Sequence, residues 1–450
     1  MNIRSAVRQI PLALALCLIG TVEALCANSA SGGGTITVLV SFAGQGYGNS
    51  PGQLLEVSPG LFVGMTTGGA TAFLLSNQGA VTPFYTFPSG IGPAQTFVQA
   101  VNGGLYGQEP HVNFNLSLTG AIQTYSAPTE NAPVLAVQLP DGTFYGTQAS
   151  NNGENTFVRM TLGGKYAILH SFAVSEGIPY GLPILGSDGN FYGISGLGQG
   201  NNSTSAIVYR MTPKGTLTTF ATYPDGRQNY GVGSFKEYLI QASDGNFYGT
   251  AALGGSKKAG AIFKVSPTGS YTTLHEFTDL ATGAPGFLIE GSDGNLYGAA
   301  QGVTSLGGGS SVFRISLSGN FHRLQILNGN TVGTCPCWLA LGSDGKFYGT
   351  ASSQGGSGSA FVWDLGLPPP KPKVTGVVPT SGAPGAVVTV NGKFLLGATA
   401  VSFNGTPATT FSNISGTYVS VTVPTGATSG PITVTTANGS STSTGSFTVE

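Results

Sequence analysis

Charge is what this chain has least of: charged residues make up 8% of its 450 residues, and 17 Lys and Arg against 18 Asp and Glu leave a formal net charge of −1. Without a basic excess or a basic cluster there is no electrostatic case for nucleic acid or an anionic membrane as partner. Cysteine is scarce too. Of the 4 present, Cys17 and Cys26 belong to the N-terminal segment, so disulfides are not the scaffold. Cys335 and Cys337 are expected to form a local disulfide that staples a loop, with a reduced pair as the alternative. Two thiols with no nearby His or third Cys make a poor zinc site, and neither metal nor cofactor is expected.

Long apolar runs are missing as well. The one short run, Leu12 to Ile19, follows Arg4 and Arg8 and precedes Ala24, Ala27 and Ala30, the pattern of a cleaved secretory signal over residues 1–29. It is shorter than the roughly 20 residues a membrane-spanning helix needs. The expected mature protein is therefore secreted, extracellular or at the cell surface, with no integral membrane segment. Segments of helical period are also lacking, which with 72 Gly and 26 Pro points to an all-β fold.

What the chain does contain is a repeated phrase. Asp188 to Gly193 reads Asp-Gly-Asn-Phe-Tyr-Gly, with close copies at Asp244 to Gly249, Asp293 to Gly298 and Asp344 to Gly349, a near copy at Asp141 to Gly146, and degraded ones at Asn102 to Gly107 and Pro59 to Gly64. Asp-Gly between two apolar stretches marks a β-hairpin turn. Its glycines, Gly60, Gly103, Gly142, Gly189, Gly245, Gly294 and Gly345, recur every 39 to 56 residues, about the length of a four-stranded propeller blade. Third strands centre on Phe73, Phe114, Phe157, Tyr209, Phe263, Phe313 and Phe361. The seventh unit runs straight into Gly366-Leu367-Pro368 and lacks a fourth strand, while Thr35 to Phe42 has the fourth-strand pattern and no partner of its own. The expectation is a seven-bladed β-propeller over residues 35–366, its last blade closed by the N-terminal strand, which hides both sheet edges.

Residues 367–373 form a proline-rich linker, and beyond them the composition shifts to Thr, Val, Ser and Gly in short alternating strands. Residues 374–450 are expected to form an immunoglobulin-like β-sandwich.

The phrase, with Ala261 to Gly269 and Thr273-Leu274-His275-Glu276-Phe277, resembles the GloVer tandem repeat of secreted bacterial proteins over about residues 50 to 365. Its strand layout is similar to NHL-type propellers. These resemblances imply an extracellular destination and a role in binding, and they supply no catalytic residues to carry over. Pro379-Thr380-Ser381-Gly382, Val401 to Gly405 and Gly430 to Val434 resemble the IPT/TIG domain, which implies a spacer or adhesion module.

Candidate chemistry is thin. His170 and His275 occupy one repeated strand position, with His322 near it, so packing explains them better than catalysis; His111 stands apart. The repeated aspartates suit turns better than calcium. Gly48-Asn49-Ser50-Pro51-Gly52 spells a nucleophile motif without its strand-to-helix context. Arg159, Arg210, Lys264 and Arg314 share a third-strand position, with Leu74, Asn115 and Trp363 at or near it, and read as a solvated strand face. Both classes of long connection leave the same face, where variable loops suit a ligand. Tyr47, Tyr180, Tyr223, Asp225, Arg227, Tyr230 and Trp338 are the candidates there, aromatics with a few polar groups that suit sugar rings. The leading expectation is a monomeric, non-catalytic binding protein whose partner is an extracellular glycan or protein. The alternatives are a polysaccharide lyase or glycosidase using Glu109, Asp225, Glu237 or Glu290 at the channel mouth, and a purely structural surface protein.

Overall fold

The computed structural model describes residues 33–450 except 45, 47, 89–95, 128–130, 150–154, 198–204, 224–238, 253, 280–282, 303–308, 328–331, 334 and 353–357. The expected signal segment, residues 1–29, therefore lies outside the described residues. Every regular element among those described is a strand.

Asp188 to Gly193 shows how the phrase makes its hairpin. Gly189 takes φ +81°, open to glycine and costly for a side chain. Asp188 Oδ1 accepts the Asn190 backbone N–H at 3.1 Å, while Oδ2 accepts the Asn190 side chain at 2.7 Å and the Tyr192 hydroxyl at 2.9 Å. The same three bonds recur at Asp244 and Asp293. At Asp344 the backbone and tyrosine bonds persist although Lys346 replaces Asn. These aspartates are turn residues. Burial opposes the charge on Asp188, but the bonds from Asn190 and Tyr192 outweigh it and hold the carboxyl below its usual range. Burial and the Asp188 bond push Tyr192 up to about 12.

The glycine that ends the phrase has a different cause. A Cβ on Gly298 would stand 2.5 Å from Phe313 Cζ and 2.8 Å from the Phe287 carbonyl oxygen, because the third-strand ring lies across the second strand. Gly193, Gly249 and Gly349 make the same room for Tyr209, Phe263 and Phe361.

The described residues between 35 and 364 build seven antiparallel sheets, six of four strands and the first of five. A representative sheet, the sixth, runs Pro285–Glu290, Leu296–Ala300, Ser311–Ile315 and Phe321–Ile326 in sequence order. The seventh takes Cys335–Leu341, Phe347–Ser352 and Ser359–Asp364 from the end of the repeat region and Thr35–Ser41 from its beginning, with Ile36 opposite Trp363. The Trp363 indole N–H donates to the Gly33 carbonyl at 2.7 Å. In the first sheet the leading strand is split, so that Asn49–Pro51 and Leu55–Ser58 both pair with Leu61–Gly68. Ser50 thus sits on a strand and not on a nucleophile elbow.

The core is divided among eight clusters. Seven of them bridge consecutive pairs of sheets, and one of these joins the last sheet to the first through Tyr348, Phe62 and Phe73. The phrase tyrosine of one sheet packs on the phrase aromatic of the next: Tyr106 on Phe144 at 4.3 Å between centroids, Tyr145 on Phe191 at 4.4 Å, Tyr192 on Phe247 at 4.2 Å, Tyr297 on Phe347 at 4.9 Å. Tyr348 on Phe62 at 4.2 Å returns the series to the first sheet.

At the shared third-strand position Arg159 is exposed, and Arg210, Lys264 and Arg314 are half-buried. Arg159, Arg210, Lys264 and Arg314 stand opposite the phrase tyrosines Tyr145, Tyr192, Tyr248 and Tyr297. The Lys264 ammonium lies 3.7 Å from Asp244 and 5.5 Å from the centre of the Tyr248 ring. In the seventh sheet the residue facing Tyr348 is Val362, so Trp363 is not an equivalent of these cations; it lies one place along, fully buried.

The eighth cluster belongs to residues 373–449. There Lys373–Val378, Val387–Lys393, Tyr418–Thr422 and Phe411–Asn413 form one sheet, facing a second built mainly from Ala398–Phe403, Gly430–Thr436 and Gly439–Val449. Val390, Val419, Phe403, Ile432 and Phe447 are buried between them.

Two glycine replacements separate the two roles within one phrase. Gly298→Ala should destabilise by about 1–3 kcal/mol through overpacking against Phe313. Gly189→Ala, which has open space around its Cβ, should cost only the roughly 1–2 kcal/mol of a left-handed alanine. Urea unfolding of each variant, with and without Phe313→Ala, checks the assignment: the second mutation should relieve part of the Gly298→Ala penalty, the contact with the Phe287 carbonyl oxygen remaining, and leave that of Gly189→Ala unchanged.

Candidate functional site

The hairpin turns joining first to second strands, and third to fourth in all but the seventh sheet, leave from one end, and the strands run into their longer connections at the other. The hairpin-turn end carries a second repeated device, placed four residues before each turn glycine. Glu290 accepts hydrogen bonds from the Ser243 amide at 3.0 Å and from the Ser243 hydroxyl, both in the turn of the preceding sheet. Gln241 takes the Ser187 amide at 2.8 Å, and Gln138 takes the Val101 amide at 2.7 Å. Glu56 of the first sheet takes the Ser343 amide and hydroxyl of the seventh, each at 2.8 Å, and so ties the two ends of the repeat region together.

Gln99 holds the position with its Oε1 unpartnered, while the two other exceptions obey the same chemistry. Leu185 holds the position where the preceding turn offers Pro140, which has no N–H to give. Leu341 holds it where the Ser292 hydroxyl instead donates to the Pro368 carbonyl of the linker at 2.6 Å. This run of Glu, Gln and Leu was visible in the sequence, four places ahead of each phrase glycine, and only its regular spacing marks it.

The C-terminal unit sits on the hairpin-turn end. Its Tyr418 hydroxyl donates to the Gln138 carbonyl at 2.5 Å, and its Asn438 side chain donates to the Ser343 carbonyl at 2.7 Å. Between the two units lies a cavity of about 460 Å³. Its walls include Ile289 and Leu339 from first strands, Leu54 and Phe97 from just before them, and Phe394 and Leu396 from the C-terminal unit. Glu56, Glu290 and Gln99 line it as well. Burial pushes the Glu56 carboxyl above its usual range, against the lowering effect of its bonds from Gly60 and Ser343. Phe394, at φ +55° and partly exposed, holds a backbone conformation that bulky residues rarely adopt.

Of the residues expected to bind a ligand at the long-connection end, few are described. Tyr47, Asp225, Arg227 and Tyr230 lie outside the described residues. Tyr180 and Tyr223 fall on the strands Ile178–Leu185 and Leu217–Tyr223. Trp338 is 6% exposed on an inward position of Cys335–Leu341, so it does not present an open ring to a ligand. Cys335 and Cys337 share that strand, Cys335 opposite Ser352. Among the candidate carboxylates, Glu237 and Asp225 lie outside the description. Glu109 follows the long-connection end of Leu105–Gln108, whereas Glu290 is fixed at the hairpin-turn end, so these two stand at opposite ends and do not converge. His170 Nε2 lies 2.8 Å from Glu176, and His275 stacks on Phe321 at 3.8 Å, its pKa held down by burial and Arg323. Both histidines occupy the same bulged register, opposite Phe157 and Ile262. Among the described residues no group of three His, Cys, Asp or Glu side chains is placed to hold a metal ion.

A phrase repeated through consecutive four-stranded sheets, each seamed to the next by aromatic contacts, defines an all-β, propeller-like repeat protein. The chain belongs to the Gloeobacter/Verrucomicrobia repeat family, whose model matches residues 129–363. Its fold is similar to that of a streptogramin B lyase, at TM-score 0.54 and 15% identity over 73% of this chain and 98% of that one. It is similar also to a virginiamycin B lyase from Staphylococcus aureus with quinupristin, at TM-score 0.55 and 14% identity over 73% of this chain and 99% of that one. At these identities the likeness is one of fold. No curated protein sequence matches the chain. No helix among the described residues is long and apolar enough to cross a membrane.

Glu56 permits a test of the repeated tie. Its folded-state pKa is raised, so the carboxyl favours folding most when protonated, below the unfolded value near 4.5, and that contribution is lost as pH rises through the folded pKa. Glu56→Gln keeps the acceptor that Gln138 and Gln241 use in the same position, and it removes the buried charge. Thermal unfolding should show the variant at least as stable as the parent at pH 7, with the advantage gone by about pH 4. A marked loss at pH 7 would mean that the charge, and not the hydrogen bond, makes the tie.

Proposed function

We propose that this is a secreted, monomeric, non-catalytic binding protein. In this reading residues 35–366 form a closed seven-bladed β-propeller, residues 367–373 a linker, and residues 374–450 an IPT/TIG immunoglobulin-like sandwich. The long-connection face engages an extracellular glycan or protein. Closure is supported by the cycle of seven seams and by the pairing of Thr35–Ser41 with Ser359–Asp364. Secretion is supported by Arg4, Arg8 and the apolar run Leu12 to Ile19.

The observation that carries the binding reading is the seat of the C-terminal unit. Tyr418 and Asn438 anchor it to the hairpin-turn end, and that leaves the long-connection end, where loops can vary without disturbing the sheets, as the face turned to a partner. The recurrent polar groups that might have done chemistry are occupied: the phrase aspartates hold tyrosines, and the Glu and Gln ties hold turns.

A glycan microarray and a pull-down from culture supernatant, both with the labelled mature chain, test the reading. Retention is expected on one glycan class or one protein, lost in the combined Tyr223→Ala, Arg227→Ala variant at unchanged melting temperature. No retention in either format sinks it. Closure has its own test: trimming the chain through residue 42 removes the strand that covers Ser359–Asp364, and size-exclusion chromatography should then show a monomer turned into oligomers and aggregates.

A further inference from the structure

We propose that the cavity between the hairpin-turn end of the repeat region and the C-terminal unit binds a small organic cation, an ammonium or guanidinium group carried on an apolar body. At about 460 Å³ the space falls within the range of small-molecule sites, and most of its walls are aliphatic or aromatic. Phe97 and Phe394 supply rings from opposite units, Phe394 in a conformation that costs backbone energy.

The charge of the ligand follows from a comparison the protein makes with itself. One position in the repeat ties four of the sheets to the turn of the preceding one, and the neutral amides Gln138 and Gln241 do this work away from the cavity. Four copies line the cavity: Glu56 and Glu290 carry a carboxylate, Gln99 and Leu341 are neutral, and no copy away from the cavity carries a charge. A carboxylate there costs desolvation that an amide avoids, and the raised pKa of Glu56 records that cost. Neither Glu56 nor Glu290 forms an ion pair among the described residues; their recorded bonds come from amides and hydroxyls. Lys393 is the one cation on the wall, and it is exposed. Two carboxylates against one solvated lysine repel an anion, and a wholly apolar ligand would leave both uncompensated. Gln99 adds a further acceptor: it lines the cavity at 8% exposure, and its Oε1 has no hydrogen-bond partner. A bound N–H donor relieves each of these.

The site is on the face opposite to the proposed glycan or protein surface, so either can fail alone. Isothermal titration of the full mature chain with 3-phenylpropylammonium, and with 3-phenylpropionate as its anionic counterpart of similar shape, tests the proposal. The amine should bind once per chain, and the acid about tenfold or more weaker. The Glu56→Gln, Glu290→Gln double variant, which keeps both ties in the form the protein itself uses elsewhere, should lose about tenfold or more in amine affinity without a lower melting temperature at pH 7. Each single variant should lose part of it, which gives the same reading should the double variant unfold. No saturable binding of the amine, equal binding of the acid, or full amine affinity in the Gln variants overturns the assignment.

Discussion

The contact on which the rest of this molecule depends is the seam between neighbouring sheets, where at five seams a phrase tyrosine lies against the aromatic of the next phrase. A four-stranded sheet has two faces and cannot bury either by itself. Here each sheet contributes to two clusters, one with the sheet before and one with the sheet after. Such an arrangement is complete only if the last sheet finds a partner. Tyr348 finds it in Phe62, and Glu56 adds a polar tie across the same seam through Ser343. Hydrophobic area holds the seam together, and the directional bonds of the tie set its register.

This division of labour explains why the phrase has its particular residues. Its first half serves the turn: Asp caps the backbone and Gly allows the bend. Its second half serves the seam, since the tyrosine must reach outward to the next sheet while its hydroxyl, now partly buried, still needs a partner. The same aspartate supplies that partner, so one carboxylate stabilises turn and seam together. The closing glycine then lets the third-strand ring cross the backbone. None of these positions is free to evolve a reaction without loosening the frame.

Much of this was legible in the sequence because it is periodic. The hairpins, the four-strand unit and the unpaired opening strand all follow from the spacing of Asp-Gly and from apolar alternation. The split leading strand of the first sheet was not, since its phrase is degraded at Pro59 and the pattern that would mark Asn49–Pro51 is too short to read. Trp363 was set beside the third-strand cations by one residue too many, an error of register that a period-two pattern turns into an error of face. Trp338 was taken for a loop aromatic because Cys335-Pro336-Cys337 reads as a turn, yet the strand starts at Cys335 and carries the indole inward. The residues of the cavity could not be found from one repeat at all. Leu54, Ile289 and Leu339 look like ordinary first-strand residues until the C-terminal unit is placed above them.

That placement changes how the two ends of the repeat region are weighed. Loop length alone favours the long-connection end as the place for function, because long loops tolerate change. The hairpin-turn end has the opposite character: short turns, fixed bonds and repeated side chains. Yet it is there that the repeat departs from itself, with Leu185 meeting Pro140, Leu341 giving way to the linker, and Glu standing where Gln suffices. A departure from a repeat is informative because every other copy supplies its control. The two leucines have partners in the chain that account for them. The two glutamates share the cavity and a turn serine that Gln241 serves elsewhere without a charge, and a charge kept at a cost in a position where a neutral group meets the structural need is a charge kept for something outside the fold.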